Sequence, residues 1–311
     1  NKDTAYAGAY VKDPIVGQHD WVMSFDLNSL YPHLIMQYNI SPDTIVNDKL
    51  DVTVDKLLDQ QIDTTHLQSS NLTMAANGQC FKKEVQGFLP KMMEEIYETR
   101  TFYKKKMLEA EQEYQITKNP ELQNFISRYN NIQMAKKIAL NSAYGALGNQ
   151  YFRYFDIRQA EGITLSGQLS IRWIEKALNK YFRKLMKDND EETNYVIASD
   201  TDSVYINLSK LVYKVYNEGE PLSKDQSKTL TPKIVKFLDR VGTEKIEPFI
   251  DKCYQDLATY MNAYDQKMFM KREVIADRGI WTAKKRYVLN VHNSEGVQYA
   301  EPKLKIMGLE V

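Results

Sequence analysis

The stretch Tyr195-Val196-Ile197-Ala198-Ser199-Asp200-Thr201-Asp202-Ser203-Val204-Tyr205-Ile206-Asn207 constrains this chain more than any other. Two short runs of β-branched and aromatic residues flank Asp-Thr-Asp, which predicts a tight hairpin with carboxylates at its tip. A two-residue hairpin turn favours Asn-Gly or Asp-Gly, because both turn positions take positive φ. Here there is no glycine, and Thr201 is β-branched. A turn so poorly suited to folding points to function. Two acids one residue apart also repel unless a cation lies beside them, so a divalent-metal site is the first expectation. Solvated turn aspartates are the plain alternative, and Asp188-x-Asp190 shows how easily the pattern arises in an acidic loop. An EF-hand is excluded, since the sixth position would be Tyr205 and the twelfth Leu211.

A third acid strengthens the metal reading. The alternating run Trp21-Val22-Met23-Ser24-Phe25 predicts a strand that delivers Asp26. Leu27-Asn28-Ser29-Leu30-Tyr31-Pro32 and the apolar Leu34-Ile35-Met36 follow, which reads as strand, sharp turn and helix, with Pro32 in the first turn. Backbone N–H groups at such a helix start suit an anion. Carboxylates at two strand ends suit a pair of metal ions about 3.5–4 Å apart, clamping the attacking and leaving oxygens of a phosphoryl transfer.

Residues 41–73 are polar and carry no informative pattern; Asn77-Gly78 predicts a hairpin turn, and Gly87-Phe88-Leu89-Pro90 a boundary. From Lys91 the apolar period becomes helical through Met93, Ile96, Tyr97, Tyr103, Met107 and Tyr114. Asn119-Pro120 starts a second helix through Phe125, Tyr129, Ile132 and Ile138 to about Tyr144, with Gly145 ending it. The two predict an antiparallel hairpin of helices of roughly 20–25 residues, on the order of 35 Å long. One face of the second helix carries Gln133, Lys137 and Asn141; Arg100 and Lys104 sit on the first. These groups could hold phosphate oxygens, or could form a solvated charged face. Helices are expected over 162–185, 232–240 and 246–264, and strands and turns from Glu273 onward, around Lys284-Lys285-Arg286-Tyr287. That basic run suits phosphate-backbone contact, or else protects an edge strand. The expected class is α+β: an antiparallel carboxylate-bearing sheet, flanking helices and an inserted two-helix hairpin.

With 311 residues the chain is long enough for two domains or one elaborate one. It balances 41 acids against 41 bases, so any nucleic-acid surface must be a segregated patch. Cys80 and Cys253 lie far apart and read as buried thiols, and the four histidines form no sequence cluster, which argues against zinc. No apolar run approaches membrane-spanning length.

Together these motifs resemble those of family B (α-like) replicative DNA polymerases, most closely the T-even-type bacteriophage enzymes. Asp26-Leu27-Asn28-Ser29-Leu30-Tyr31-Pro32 resembles the family's first carboxylate motif, and Lys137-Ile138-Ala139-Leu140-Asn141-Ser142-Ala143-Tyr144-Gly145 its fingers-helix motif. Asp200-Thr201-Asp202-Ser203 resembles the second carboxylate motif, and Lys284-Lys285-Arg286-Tyr287 the primer-duplex motif, all in the family's order. The sequence departs from the pattern at Ser199, where the family has glycine, and at Ala198, where it has tyrosine.

The resemblance implies palm (1–90 and 149–311) and fingers (91–148) portions that add deoxynucleotides to a primer 3′ end. The exonuclease and thumb regions would lie outside this chain, which would make it a fragment. Asp26 and Asp202 would ligate two Mg²⁺ ions, with the Leu27 carbonyl helping and Asp200 nearby; Mn²⁺ would substitute. Ser29 and Leu30, with Arg100, Lys104, Lys137 and Asn141, would hold the triphosphate. Tyr31 would exclude a 2′-hydroxyl, and Tyr144 and Gly145 would lie against the nascent base pair. Lys284, Lys285, Arg286 and Tyr287 would contact DNA, and Glu273 would be an accessory acid. Partners would be primer–template DNA, dNTPs, and a sliding clamp and other replisome proteins, in the cytoplasm of an infected bacterium if phage-encoded. A nucleotide-sugar glycosyltransferase would explain Asp200 and Asp202 but neither the Asp26-to-Tyr31 run nor the Lys137/Asn141 helix. A non-catalytic DNA-binding module is the other alternative.

Overall fold

The computed structural model describes residues 7–309. Its strands are β1 (Gly17–Leu27), β2 (Ile45–Lys49), β3 (Leu72–Met74), β4 (Gln79–Lys82), β5 (Val196–Asp200), β6 (Ser203–Asn207), β7 (Met270–Ala283), β8 (Arg286–Ser294) and β9 (Val297–Met307). The helices are α1 (Leu30–Gln37), α2 (Val54–Leu58), α3 (His66–Ser69), α4 (Phe88–Thr117), α5 (Glu121–Leu147), α6 (Ile157–Met186), α7 (Ser209–Tyr216), α8 (Lys224–Val241) and α9 (Glu247–Tyr260). A π turn, Gly242–Ile246, links the last two helices. The class is α+β, and the chain forms two compact units.

One unit comprises Gly8–Asn28, Gly167–Leu257 and Met268–Val311. Its sheet runs β5-β6-β1-β7-β8-β9, antiparallel throughout. β1 is apolar at Val22, Met23, Phe25 and Leu27, all buried, as expected for a strand paired on both sides. Helix α6 lays Ile171, Ile174, Leu178 and Phe182 into the core at helical spacing. The buried Asn179 amide oxygen accepts from the Tyr195 and Val196 N–H groups at 2.8 and 2.9 Å, which fixes α6 to the start of β5. The Trp173 indole donates to the Cys253 carbonyl at 2.9 Å, and the Tyr254 hydroxyl to the Ser170 carbonyl at 3.1 Å, which seats α9 on α6. Cys253 itself is only half-buried. Residues 10–15 form a strap along the outer side of β5. The Lys12 and Ile15 N–H groups donate to the Ser199 and Ile197 carbonyls at 3.2 and 2.8 Å, and Lys12 pairs with Glu175.

The other unit is chiefly Ser29–Ser166 with Ala258–Lys267. The stretch 41–73, opaque in sequence, holds β2, α2, α3 and most of β3, and its strands join β4 in a three-stranded sheet β2-β4-β3. Strands of three to five residues are too short to show a period, which is why the pattern failed there. Asn77-Gly78 does turn the chain between β3 and β4. Gly78 has φ +82, and a Cβ there would collide with the Leu50 carbonyl, whose own N–H donates to the Gly78 carbonyl at 2.9 Å. Gly78→Ala is therefore expected to cost about 2 kcal/mol or more, measured by thermal unfolding; a loss under about 0.5 kcal/mol would show the turn to be pliable.

Helices α4 and α5 form the expected antiparallel pair but are longer, at 30 and 27 residues. They extend about 45 and 40 Å at 1.5 Å per residue. The Asn119 side chain caps α5 by accepting from the Glu121 N–H at 3.1 Å. Gly145 does not end the helix, contrary to expectation. It lies inside α5, with open space where its side chain would be, and buried Leu147 extends the helix to the cap at Gly148. Helix α7 and the π turn were not anticipated, and the expected 232–240 helix is the second half of α8.

Candidate active site

The Asp200–Asp202 hairpin forms as the sequence predicts, with Thr201 and Asp202 as its turn. Thr201 takes φ 31°, a strained value for a β-branched residue, costing on the order of 1–2 kcal/mol. Three hydrogen bonds hold it. The Thr201 N–H donates to the Tyr10 carbonyl of the strap at 3.1 Å, the Thr201 hydroxyl to Asp200 Oδ1 at 3.0 Å, and the Ser203 hydroxyl to the Asp200 carbonyl at 3.3 Å. Ser199 pairs with Val204 in strand register and does not take positive φ, so its backbone accepts a serine, although the buried hydroxyl has no hydrogen-bond partner. The Leu27 N–H donates to the Asp202 carbonyl at 2.8 Å, and Asp26 lies opposite Ser203. The backbone thus ties the strand end bearing Asp26 to the turn bearing Asp202.

Negative charge is concentrated there and only partly compensated. Burial, then the neighbouring Asp202 and Glu273 carboxylates, push the Asp26 carboxyl up to about 8, against a smaller opposing pull from Lys305. Burial and the nearby Asp200 and Glu273 charges raise Asp202 to about 6, although its own backbone N–H and Lys285 favour the ionised form. The Asp26 carboxylate has no hydrogen-bond or ion-pair partner among the described residues, whereas Asp200 pairs with Lys285 at 3.3 Å. Glu273 donates nothing and accepts twice, from Lys305 Nζ at 2.7 Å and from the Ser24 hydroxyl at 3.1 Å. Among the described residues, no three His, Cys, Asp or Glu side chains converge as a ready-made metal cage. What is offered is a carboxylate pair that is costly to ionise alone. Its hard oxygen donors fit Mg²⁺, which binds through one or two carboxylates and leaves further ligands to substrate and water.

In the other unit, Ser29 precedes α1 in a left-handed conformation, φ 51°, and caps nothing with its side chain. Arg100 of α4 donates to the Ser29 hydroxyl at 3.2 Å, and its buried Nε lacks a partner. His33 Nδ1 lies 2.9 Å from the Ser29 carbonyl, and its ring meets Tyr97 edge-on at 4.4 Å; burial lowers its pKa. Tyr31 packs on Tyr144 of α5, ring centroids 4.6 Å apart, while Leu30 is buried. Lys104, Lys137, Asn141 and Gly145 are all exposed. Arg100, Ser29, Tyr31 and Tyr144 are therefore gathered in one unit, and Asp26, Asp200, Asp202 and Glu273 in the other.

Lys284 and Lys285 form the turn between β7 and β8, Lys285 at φ 58°. Lys284 pairs with Asp13 at 3.1 Å, and Arg286 is exposed. Tyr287 is buried in the sheet core, its hydroxyl 2.7 Å from that of Tyr205, and burial raises both pKa values. Its ring is a packing element that anchors the basic turn. Sequence reasoning missed Lys305, Ser24 and His33. Ser24 could have been found, since strand alternation puts it on the same face as Asp26. Lys305 had no signal, because its partner is 32 residues away.

The sequence profile of the family described as DNA polymerase family B matches residues 1–237. The DNA-directed DNA polymerase of Escherichia phage RB69 is 36% identical over 354 residues, covering 98% of this chain and 38% of that protein. That of Enterobacteria phage T4 is 35% identical over 98% of this chain and 38% of its own length. The DNA polymerase alpha catalytic subunit of Mus musculus is 28% identical over 73% of this chain and 13% of its own. The chain thus spans well under half the length of the relatives it matches. A profile match over three quarters of the residues, with a carboxylate pair built on adjoining strand ends, leaves one conclusion: this chain belongs to DNA polymerase family B.

Proposed function

We propose that this chain is the nucleotidyl-transfer portion of a template-directed DNA polymerase, using two Mg²⁺ ions held by Asp26 and Asp202, with Mn²⁺ able to substitute. The observation that carries this is the half-compensated Asp26–Asp202 pair, with Asp26 raised to about 8, on strand ends joined by the Leu27-to-Asp202 hydrogen bond. Without a cation Asp26 keeps its proton at neutral pH, and a divalent ion that takes the proton's place relieves the strain of ionising both acids. When bound, the ions would lower the pKa of the primer 3′-hydroxyl and offset charge on the departing pyrophosphate.

The chain's own residues supply the rest. Asp26, Asp202 and the Leu27 carbonyl orient the cations, with Asp200 held beside them by Lys285. Arg100, Lys104, Lys137 and Asn141, with the N–H groups at Ser29 and Leu30, hold the triphosphate of a dNTP. Tyr31, braced by Tyr144, lies under the deoxyribose, and Tyr144 and Gly145 lie against the new base pair. Lys284, Lys285 and Arg286, anchored through Tyr287, bind the primer duplex. In this reading 1–90 and 149–311 are the palm and 91–148 the fingers. Primer–template DNA is the partner, with a sliding clamp and replisome proteins for the whole polymerase. Among the described residues, no helix is long and apolar enough to cross a membrane.

The test is extension of a labelled primer–template with dNTPs and Mg²⁺ or Mn²⁺, by this chain and by the chain extended through its natural flanking sequence. Extension by either supports the reading; a folded protein inactive in both forms overturns it. Tyr31→Val should then relax discrimination against ribonucleotides by at least about tenfold, since removing the ring opens space for a 2′-hydroxyl. Unchanged discrimination would remove Tyr31 from that role.

A further inference from the structure

Glu273 is fixed more firmly than an acid beside a carboxylate pair needs to be. On β7, its Oε1 accepts from Lys305 Nζ of β9 at 2.7 Å, and its Oε2 from the Ser24 hydroxyl of β1 at 3.1 Å. The Ser24 oxygen in turn accepts from the Val274 N–H at 3.1 Å, which directs its single proton to Glu273. The Glu273 carbonyl accepts from the Glu295 N–H at 2.7 Å, so the main chain is fixed as well. Ser24 is fully buried and Lys305 about two-thirds buried. Lys305 lies opposite Leu289 of β8, and its side chain reaches past that strand to Glu273 of β7. Both carboxylate oxygens are occupied, although Glu273 lies close enough to act on Asp26 and Asp202.

We propose that Lys305 and Ser24 hold the Glu273 carboxylate back from the Asp26–Asp202 pair, so that the cation site keeps two carboxylates instead of three. The inference rests on the reading that Asp26 and Asp202 bind the metal. Its chemical sense lies in selectivity. Mg²⁺ dehydrates reluctantly and binds through one or two carboxylates, whereas Ca²⁺ accepts six to eight oxygens in a flexible shell. A third free carboxylate would tighten binding and favour the larger ion. Lys305 is in this sense a positioning residue: its positive charge and hydrogen bond keep an available ligand occupied.

The experiment is Mn²⁺ binding to the protein alone, followed by electron paramagnetic resonance, with Ca²⁺ as competitor and without DNA or nucleotide. Lys305→Met should tighten Mn²⁺ by about three- to tenfold, the scale of one more carboxylate at close range, and Ca²⁺ should compete better. Lys305→Arg should behave as wild type. Measured against Glu273→Gln as the reference, adding Lys305→Met should give no tightening, because the freed ligand is gone. Ser24→Ala, which removes one hydrogen bond, should shift binding in the same direction and carries the test if Lys305→Met does not fold. Unchanged or weaker Mn²⁺ binding in Lys305→Met overturns the proposal, as does tightening that persists with Glu273→Gln, which would mark a bulk charge effect. Undiminished Mn²⁺ binding in Asp26→Asn overturns the underlying metal reading, whatever Lys305 does.

Discussion

Asp202→Asn is expected to abolish primer extension, by about a thousandfold or more, while leaving DNA affinity within about twofold of wild type. The large loss follows from the position of the residue. Its main chain is bonded to Leu27, so no neighbouring acid can move into its place, and Asp200 is already occupied by Lys285. An asparagine keeps the size and turn geometry but removes the negative charge that would hold a cation. DNA binding should survive, because deleting a negative charge cannot weaken attraction to phosphates. Extension within about tenfold of wild type would remove Asp202 from the catalytic set.

The second large effect concerns stability without metal. In an unfolded chain the Asp26 carboxyl loses its proton near 3.8; in the fold it keeps it to about 8. Between those values the folded protein binds more protons than the unfolded one, so stability falls as pH rises, and the loss is complete above pH 8. Asp202, raised to about 6, adds to the same slope over its lower part. Asp26→Asn removes the buried ionisation. In the absence of divalent ions it should be more stable than wild type at pH 8 by about 2 kcal/mol, less than the full shift because the site is partly solvated. Near pH 4 the two should converge. Mg²⁺ should stabilise wild type at pH 8 and Asp26→Asn far less. Thermal unfolding across pH 4–9 in a chelating buffer measures this. A flat wild-type profile, or a variant less stable at pH 8, would show that Asp26 is not under electrostatic stress.

What could be read from the sequence divides by range. The Asp200–Asp202 hairpin, the strand ending at Asp26, the turn into α1 and the α4–α5 pair rest on local patterns, period two or 3.6 with turn residues between, and all four are present. Of the three-stranded sheet only the Asn77-Gly78 turn between β3 and β4 was legible, because its strands are too short to alternate. Gly145 misled because glycine is a frequent helix terminator, yet the buried Leu147 two residues on outweighs about 1 kcal/mol of propensity. The candidate site divides in the same way. Its acids announce themselves by unfavourable local chemistry, whereas Lys305 acquires meaning only when the folded sheet brings it to Glu273. Tyr287, placed by motif among DNA-contacting residues, lies in the core; nothing local in a basic run tells which member turns inward.

The strap at residues 10–15 also bears on how the sheet meets other proteins. An open sheet has two edges, each a row of unpaired amides that can template another strand. The strap covers one edge, its N–H groups taken up by the β5 carbonyls at Ile197 and Ser199. The other edge, β9, carries exposed Val297, Leu304, Ile306 and Met307, and is interrupted by a register shift, Pro302 and Lys303. Proline and lysine on a kinked edge discourage strand addition. Edge-to-edge pairing is thus discouraged by added backbone on one flank and by side-chain chemistry on the other. Deleting residues 10–15 would uncover the flank that has no such side-chain defence.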